Sequence, residues 1–222
     1  MGSRKKLDEK QKDTLIGYLK TAGPKYNKYL LGKEFLIVCD DYSTHKIRFV
    51  KRKFNHLTGL NTSLNDNNFY NNCLKGIISK SAIDDFQHYD FKTLCKKCSR
   101  LAKIDLFLNA ETNSTLFLEN LHTNTADYPV AVNNVSLDVC VGFRGNLFEC
   151  ATLRTSANSF NADTSKRILC ILSRNLSEKR FSNINYISNL KDIFENLLNI
   201  QNDISEIVLE RFSYITDIWL NF

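Results

Sequence analysis

The chain has 222 residues, 43% hydrophobic and 24% charged, a balance that suits one domain with a substantial core and excludes low-complexity or repeat architectures. Its formal charge of +6 points weakly to a polyanionic partner. No window approaches the roughly 18 apolar residues of a membrane-crossing helix, and no leader pattern opens the chain, so a soluble protein of a bacterial cytoplasm with no membrane partner is expected.

The first helix is expected over residues 8–30, capped by Asp8, with Leu15, Ile16 and Leu19 at helical spacing and a break or kink at Gly23-Pro24. KEFLIVCD (33–40) and THKIRFVK (44–51) read as a hairpin around the turn residues 41–44, with Ile47 and Phe49 on one face and Lys46, Arg48 and Val50 on the other. Then comes KRKFNHLTGLN (51–61), three cations running into a Phe and an isolated His. Residues 65–86 read as a helix followed by a shorter one from Ser81. Residues 91–108 form the clearest amphipathic helix, with Leu94, Cys95, Cys98, Leu101 and Ala102 on its apolar stripe and Lys92, Lys96, Arg100 and Lys103 opposite. Strands follow at 115–120, 129–134, 135–143 and 146–153, with a hairpin turn at Arg144-Gly145-Asn146, and a central apolar strand at 167–173. Helical periodicity returns from Asn185. This order predicts an α+β fold.

His56 is the leading chemical candidate. An imidazole near neutrality beside clustered cations can deprotonate a ribose 2′-hydroxyl, while Thr58 and N–H groups near Gly59 donate to the phosphoryl oxygens; the local sequence by itself favours a histidine satisfying a turn. His45, His88 and His122 carry less around them. Cys95 and Cys98 match CxxC, but no second ligand pair accompanies them and both fall on an apolar stripe, so core packing is the expected role. The seven cysteines read as reduced thiols. Arg154, at a strand end followed by Thr155 and Ser156, suits a phosphate grip or an ordinary strand-end turn. No phosphate loop, metalloprotease or carboxylate-triad pattern is evident, so no cofactor or metal is expected.

FNHLTGL, then NNFYNNCLKG, a lysine-bearing helix, and a late hairpin ending in FECATLRTSA together resemble the phage-associated barnase–EndoU–colicin–RelE-like nuclease families, in particular the fourth (PBECR4), over about residues 30–175. The resemblance implies a barnase/RelE-like antiparallel sheet with packed helices and a metal-independent endoribonuclease of phage or mobile-element origin. By matching positions it makes His56 the acid–base residue and Thr58 a phosphate-side donor, sets Tyr70 beside the site and Lys92 on the family's helix, and closes the site with Arg154 and Ser156. The C-terminal helices fall outside it.

The resulting expectation is an α+β nuclease-like domain at 1–180 with a helical extension at 181–222 packed on it. Its catalytic residues would be His56, Thr58, Arg154 and Ser156, and its substrate-binding residues Lys46, Arg48, Lys51, Lys53, Tyr70, Lys92, Lys96 and Arg100. RNA is the expected partner, with DNA as its alternative and an antitoxin or host protein permitted. The rival expectation is a non-catalytic phage regulatory protein using the same basic surface.

Overall fold

The computed structural model describes residues 5–108, 115–188, 202–206, 208–210 and 212. Strand β1 (Lys5–Lys6) precedes helix α1 (Glu9–Tyr29), whose N-cap is Asp8 in a reciprocal capping box with Gln11. The helix runs unbroken through Pro24, against the expected break. Gly23 lies so close to the next helix but one that an added Cβ would stand 2.7 Å from the backbone of Cys73, and Tyr26 anchors the following turn through its hydroxyl on the Val50 carbonyl at 3.0 Å. Packing on both sides of Pro24 outweighs the single lost hydrogen bond.

The hairpin β2 (Lys33–Cys39) and β3 (Thr44–Arg48) leads into α2 (Phe54–Thr58), then α3 (Asp66–Leu74), the short β4 (Phe86–Gln87) that pairs with β1, and α4 (Phe91–Leu101). The helix expected over the first part of 65–86 ends early because Gly76, at φ 69°, reverses the chain. Strands β5 (Thr115–Leu121), β6 (Tyr128–Asn134), β7 (Val139–Arg144), β8 (Glu149–Arg154), β9 (Ala162–Asn175) and β10 (Asn183–Ile187) follow. The start of the expected C-terminal helical run is thus a strand; the remainder of that run lies largely outside the described residues.

The sheet order is β10-β9-β2-β3-β8-β7-β6-β5, and β5 pairs back to β9. Seven strands therefore close a barrel, with β10 added on β9, in place of the expected open antiparallel barnase/RelE-like sheet with packed helices. Closure comes from the 14-residue β9, far longer than its apolar stretch. Its second half pairs with β2 and its polar first half, Ala162 to Arg167, pairs with β5. The one parallel contact in the ring is β3 on β8 at Arg48–Glu149.

Burial separates the two faces of the wall. Phe35, Ile47, Phe117, Val132, Val141 and Ile171, drawn from six of the seven strands, belong to one apolar cluster that also takes in α1, α3 and α4. The opposite faces divide into two separate clusters, one on β2 and β9 covered by Phe181, Ile204, Val208 and Phe212, the other on β5 to β8. The shared cluster is the barrel interior. His45 on β3 stacks on Phe117 of β5 with ring centroids 4.0 Å apart, although these strands are not neighbours, so the contact crosses the lumen. No described helix is long and apolar enough to cross a membrane.

Candidate active site

The seam between β3 and β8 creates the site. After Arg48 the chain leaves the sheet, winds through a 3-10 turn at Lys51–Lys53 and enters α2, leaving the edge of β8 beyond Glu149 without a strand partner among the described residues. Opposite, the β7–β8 register passes from Gly142–Thr152 to Phe143–Cys150 and skips Ala151, a bulge of the kind that turns a backbone group out of the ladder. Helix α2 settles on this open edge by burying Phe54, Leu57 and Thr58. His56 is left on the exposed side, next to the Ala151 carbonyl. Two residues further along β8, the Leu153 carbonyl accepts from Lys97 Nζ of α4 at 2.9 Å.

His56, Lys97 and Arg154 line one cavity of about 550 Å³ together with Arg52, Lys53 and Arg144. Its floor is the outer face of the barrel. Gly142 has no Cβ, which would stand 2.7 Å from Tyr128, so the Tyr128 ring lies flat on the sheet, and Arg144 stacks over that ring at 4.4 Å. Arg144 also donates to the Asp127 carbonyl. Arg154 Nη2 donates to Thr125 Oγ1 at 2.5 Å, while its Nε is buried with no hydrogen-bond partner. Lys53, Lys97, Arg144 and Arg154 face no carboxylate in any ion pair among the described residues, and Arg52 pairs with Glu149 at 2.5 Å. Asp66 is the one carboxylate lining the cavity.

The local electrostatics set two titratable groups apart. Desolvation lowers the His56 pKa, and Lys53 and Lys97 lower it further against the opposing Asp66 and Ala151 carbonyl. The Lys97 ammonium is brought down to about 8, first by burial and then by Arg154. Its stem is covered by the turn after α2: a Cβ on Gly59 would lie 2.9 Å from Lys97 Cδ and 3.3 Å from Tyr89 Cδ2, and Gly59 sits at φ 72° as the left-handed cap of α2. Near pH 7 the imidazole is neutral and the ammonium charged, the protonation states of a base and an acid.

The family model PBECR4, described as phage-Barnase-EndoU-ColicinE5/D-RelE like nuclease4, matches residues 19–211. The chain belongs to this family. No curated protein and no solved structure matches it. Membership in PBECR4 makes the chain nuclease-like and nucleic acid its class of substrate, and His56 lies in the cavity on the barrel wall.

The other sequence candidates fall in several places. Lys53 and Arg154 line the cavity. Thr58 is fully buried: its hydroxyl donates to Asn55 O at 2.6 Å and accepts from Leu60 N at 3.1 Å, so in this PBECR4 chain it closes α2 and does not face the cavity. Ser156 Oγ is bonded to Asp138 at 3.0 Å, outside the cavity lining. Tyr70 is buried with its hydroxyl on Asn27, and Lys51 lies over its ring at 5.5 Å. Lys46 pairs with Asp203, Arg48 with Glu34 and Arg100 with Asp138. Lys92 and Lys96 are exposed and off the cavity. Sequence reasoning missed Lys97, Arg144, Thr152, Tyr128 and Tyr89 as lining residues. Cys98 is buried and Cys95 partly so, and no group of three metal-ligating side chains occurs among the described residues.

Proposed function

We propose that the cavity is the active site of an endoribonuclease that cleaves RNA by transesterification. Neutral His56 takes the proton of a ribose 2′-hydroxyl, the 2′-oxygen attacks the adjacent phosphorus, and the P–O5′ bond breaks. Charged Lys97 gives its proton to the departing 5′-oxygen. The products are a 2′,3′-cyclic phosphate and a 5′-hydroxyl. Arg154, with Arg144 and Lys53 beside it, holds the phosphoryl oxygens as negative charge gathers on the phosphorane. The observation that carries this reading is the pairing of a histidine of lowered pKa with a lysine brought to about 8 in one cation-lined cavity. The protein's own cations supply the charge stabilisation, so cleavage is expected to persist in EDTA.

The test is incubation of the purified protein and of His56→Ala with a labelled RNA in EDTA, followed by end-group analysis. Fragments ending in cyclic phosphate from the wild type, and none from His56→Ala at an unchanged melting temperature, support the reading. DNA of the same sequence, lacking the nucleophile, is expected to stay intact. RNA that is retarded on a gel but never cut would make the cavity a binding site alone.

A further inference from the structure

The cavity is chemically lopsided. On the His56 side it runs into a hollow of about 370 Å³ whose wall includes Arg52, Lys53 and Arg144. On the other side it runs into one of about 420 Å³ walled by Asn55, Asn61, Asp84, Phe86 and His88, with no lysine or arginine. Between the two ends stands Tyr89, 42% exposed. Its ring meets the Lys97 ammonium at 5.7 Å and lies next to Gly59, so it is braced against the catalytic wall and open to the cavity.

Acceptors stand where this end, free of lysine and arginine, joins the cavity. Asp66 faces the cavity and accepts one bond, from Asn55 Nδ2 at 3.3 Å. Asn61 uses its side-chain amine on Phe86 O at 3.1 Å and its backbone N–H on Gln87, leaving Oδ1 without a donor among the described residues. The place of Asp66 in the first turn of α3 suits the helix dipole, but that does not account for an acceptor turned into a cationic cavity.

We infer that this end is a nucleobase subsite, which takes one unstacked base of a single-stranded polynucleotide against Tyr89 and favours a base with an exocyclic amine. An exposed aromatic ring is a stacking platform for any base. The acceptors of Asp66 and Asn61 match the amine of cytosine or adenine, while uracil presents a carbonyl at that position. A base held in a duplex cannot reach into such a hollow. That the substrate is RNA rests on the ribonuclease reading above; the base preference does not.

The experiment measures binding by fluorescence anisotropy with 2′-O-methyl oligomers, which cannot be cut, of equal length and charge: oligo-C, oligo-U and an abasic chain. The wild type is expected to bind oligo-C on the order of tenfold tighter than the abasic chain and several-fold tighter than oligo-U. Tyr89→Ala should bring oligo-C and abasic affinities within about twofold, Tyr89→Phe should keep them apart, and Asp66→Asn should narrow the gap between oligo-C and oligo-U. Equal binding of oligo-C and abasic chains by the wild type, or an undiminished ratio in Tyr89→Ala, overturns the stacking platform. An unchanged C-to-U ratio in Asp66→Asn overturns the amine preference. If the preferences hold and unmodified RNA is still not cleaved, the subsite stands and the ribonuclease reading falls.

Discussion

His56 and Lys97 come from different helices and meet the same edge of β8, His56 beside the Ala151 carbonyl and Lys97 bonded to the Leu153 carbonyl at 2.9 Å. Lys97 is thus held by backbone, and both groups line the same cavity. Proton transfer through this pair predicts a bell-shaped pH dependence of kcat/KM. The acid limb should fall below the ordinary histidine range of about 6.5, because His56 is held down by desolvation and by Lys53 and Lys97. The alkaline limb should lie near pH 8, where Lys97 loses its proton. Lys53→Ala removes one of the depressing charges and should move the acid limb upward. A flat profile between pH 6 and 9, or an acid limb unmoved in Lys53→Ala, would rule out this assignment.

Lys97 also carries a stability cost. A lysine with a folded-state pKa of about 8 against 10.5 in the unfolded chain binds fewer protons when folded, so stability rises with pH through that window and the penalty is complete below it. Replacing the amine with an isosteric apolar group removes the penalty at neutral pH. Lys97→Met should abolish cleavage while raising the melting temperature, by roughly 2–4 °C for each kcal/mol recovered. The stability gain measured by thermal denaturation should shrink as the pH is raised from 7 to 10. A lower melting temperature than the wild type at pH 7 would mark Lys97 as a structural residue.

Gly59 couples the shape of the α2 turn to the position of Lys97. Any side chain there takes on the left-handed strain of φ 72° and also drives its Cβ to 2.9 Å from Lys97 Cδ. Gly59→Ala should cost about 1–2 kcal/mol of stability, and it should lower kcat more than that loss explains because the Lys97 stem must move. The specific signature is a shifted alkaline limb, as the ammonium leaves its buried position. Denaturant titration and a pH profile of the same variant test this; loss of stability with an unaltered profile would confine Gly59 to the turn.

Much of the wall was legible in sequence because apolar alternation survives whatever the sheet does next. The hairpin of β2 and β3 and the apolar middle of β9 are examples. Barrel closure was not, since the half of β9 that pairs with β5 is Ala-Asp-Thr-Ser-Lys-Arg, a polar run with no strand signal of its own. The site was half legible. His56 and Arg154 carry recognisable chemistry in short motifs, whereas Lys97 sits inside a CxxC between an apolar stripe and a basic face, and only the open edge of β8 makes it special. Thr58 misled in the opposite way. Its hydroxyl looks available for phosphate in the motif, yet Asn55 and Leu60 occupy it.

Asp138 accounts for the remaining motif residues. It accepts from Thr155 Oγ1 at 2.5 Å, from Ser156 N and Oγ at 3.0 Å each, and from Arg100. Those hydrogen bonds hold its carboxyl well below the usual range despite partial burial. Arg100 lies one turn along α4 from Lys97, and Thr155 follows Arg154, so one carboxylate ties the helix bearing Lys97 to the strand bearing Arg154. Ser156 is then one of three groups on a shared acceptor, and Ser156→Ala should leave cleavage within about tenfold, in line with a hydrogen bond of roughly 0.5–1.5 kcal/mol whose partner keeps other donors. Asp138→Ala should lower kcat with little change in KM for RNA, because alignment is lost while every cavity cation remains. Asp138→Asn, which keeps an acceptor for Ser156 N, should recover part of the rate. If Ser156→Ala is as inactive as His56→Ala, the hydroxyl acts on the substrate directly and the positioning role of Asp138 is wrong.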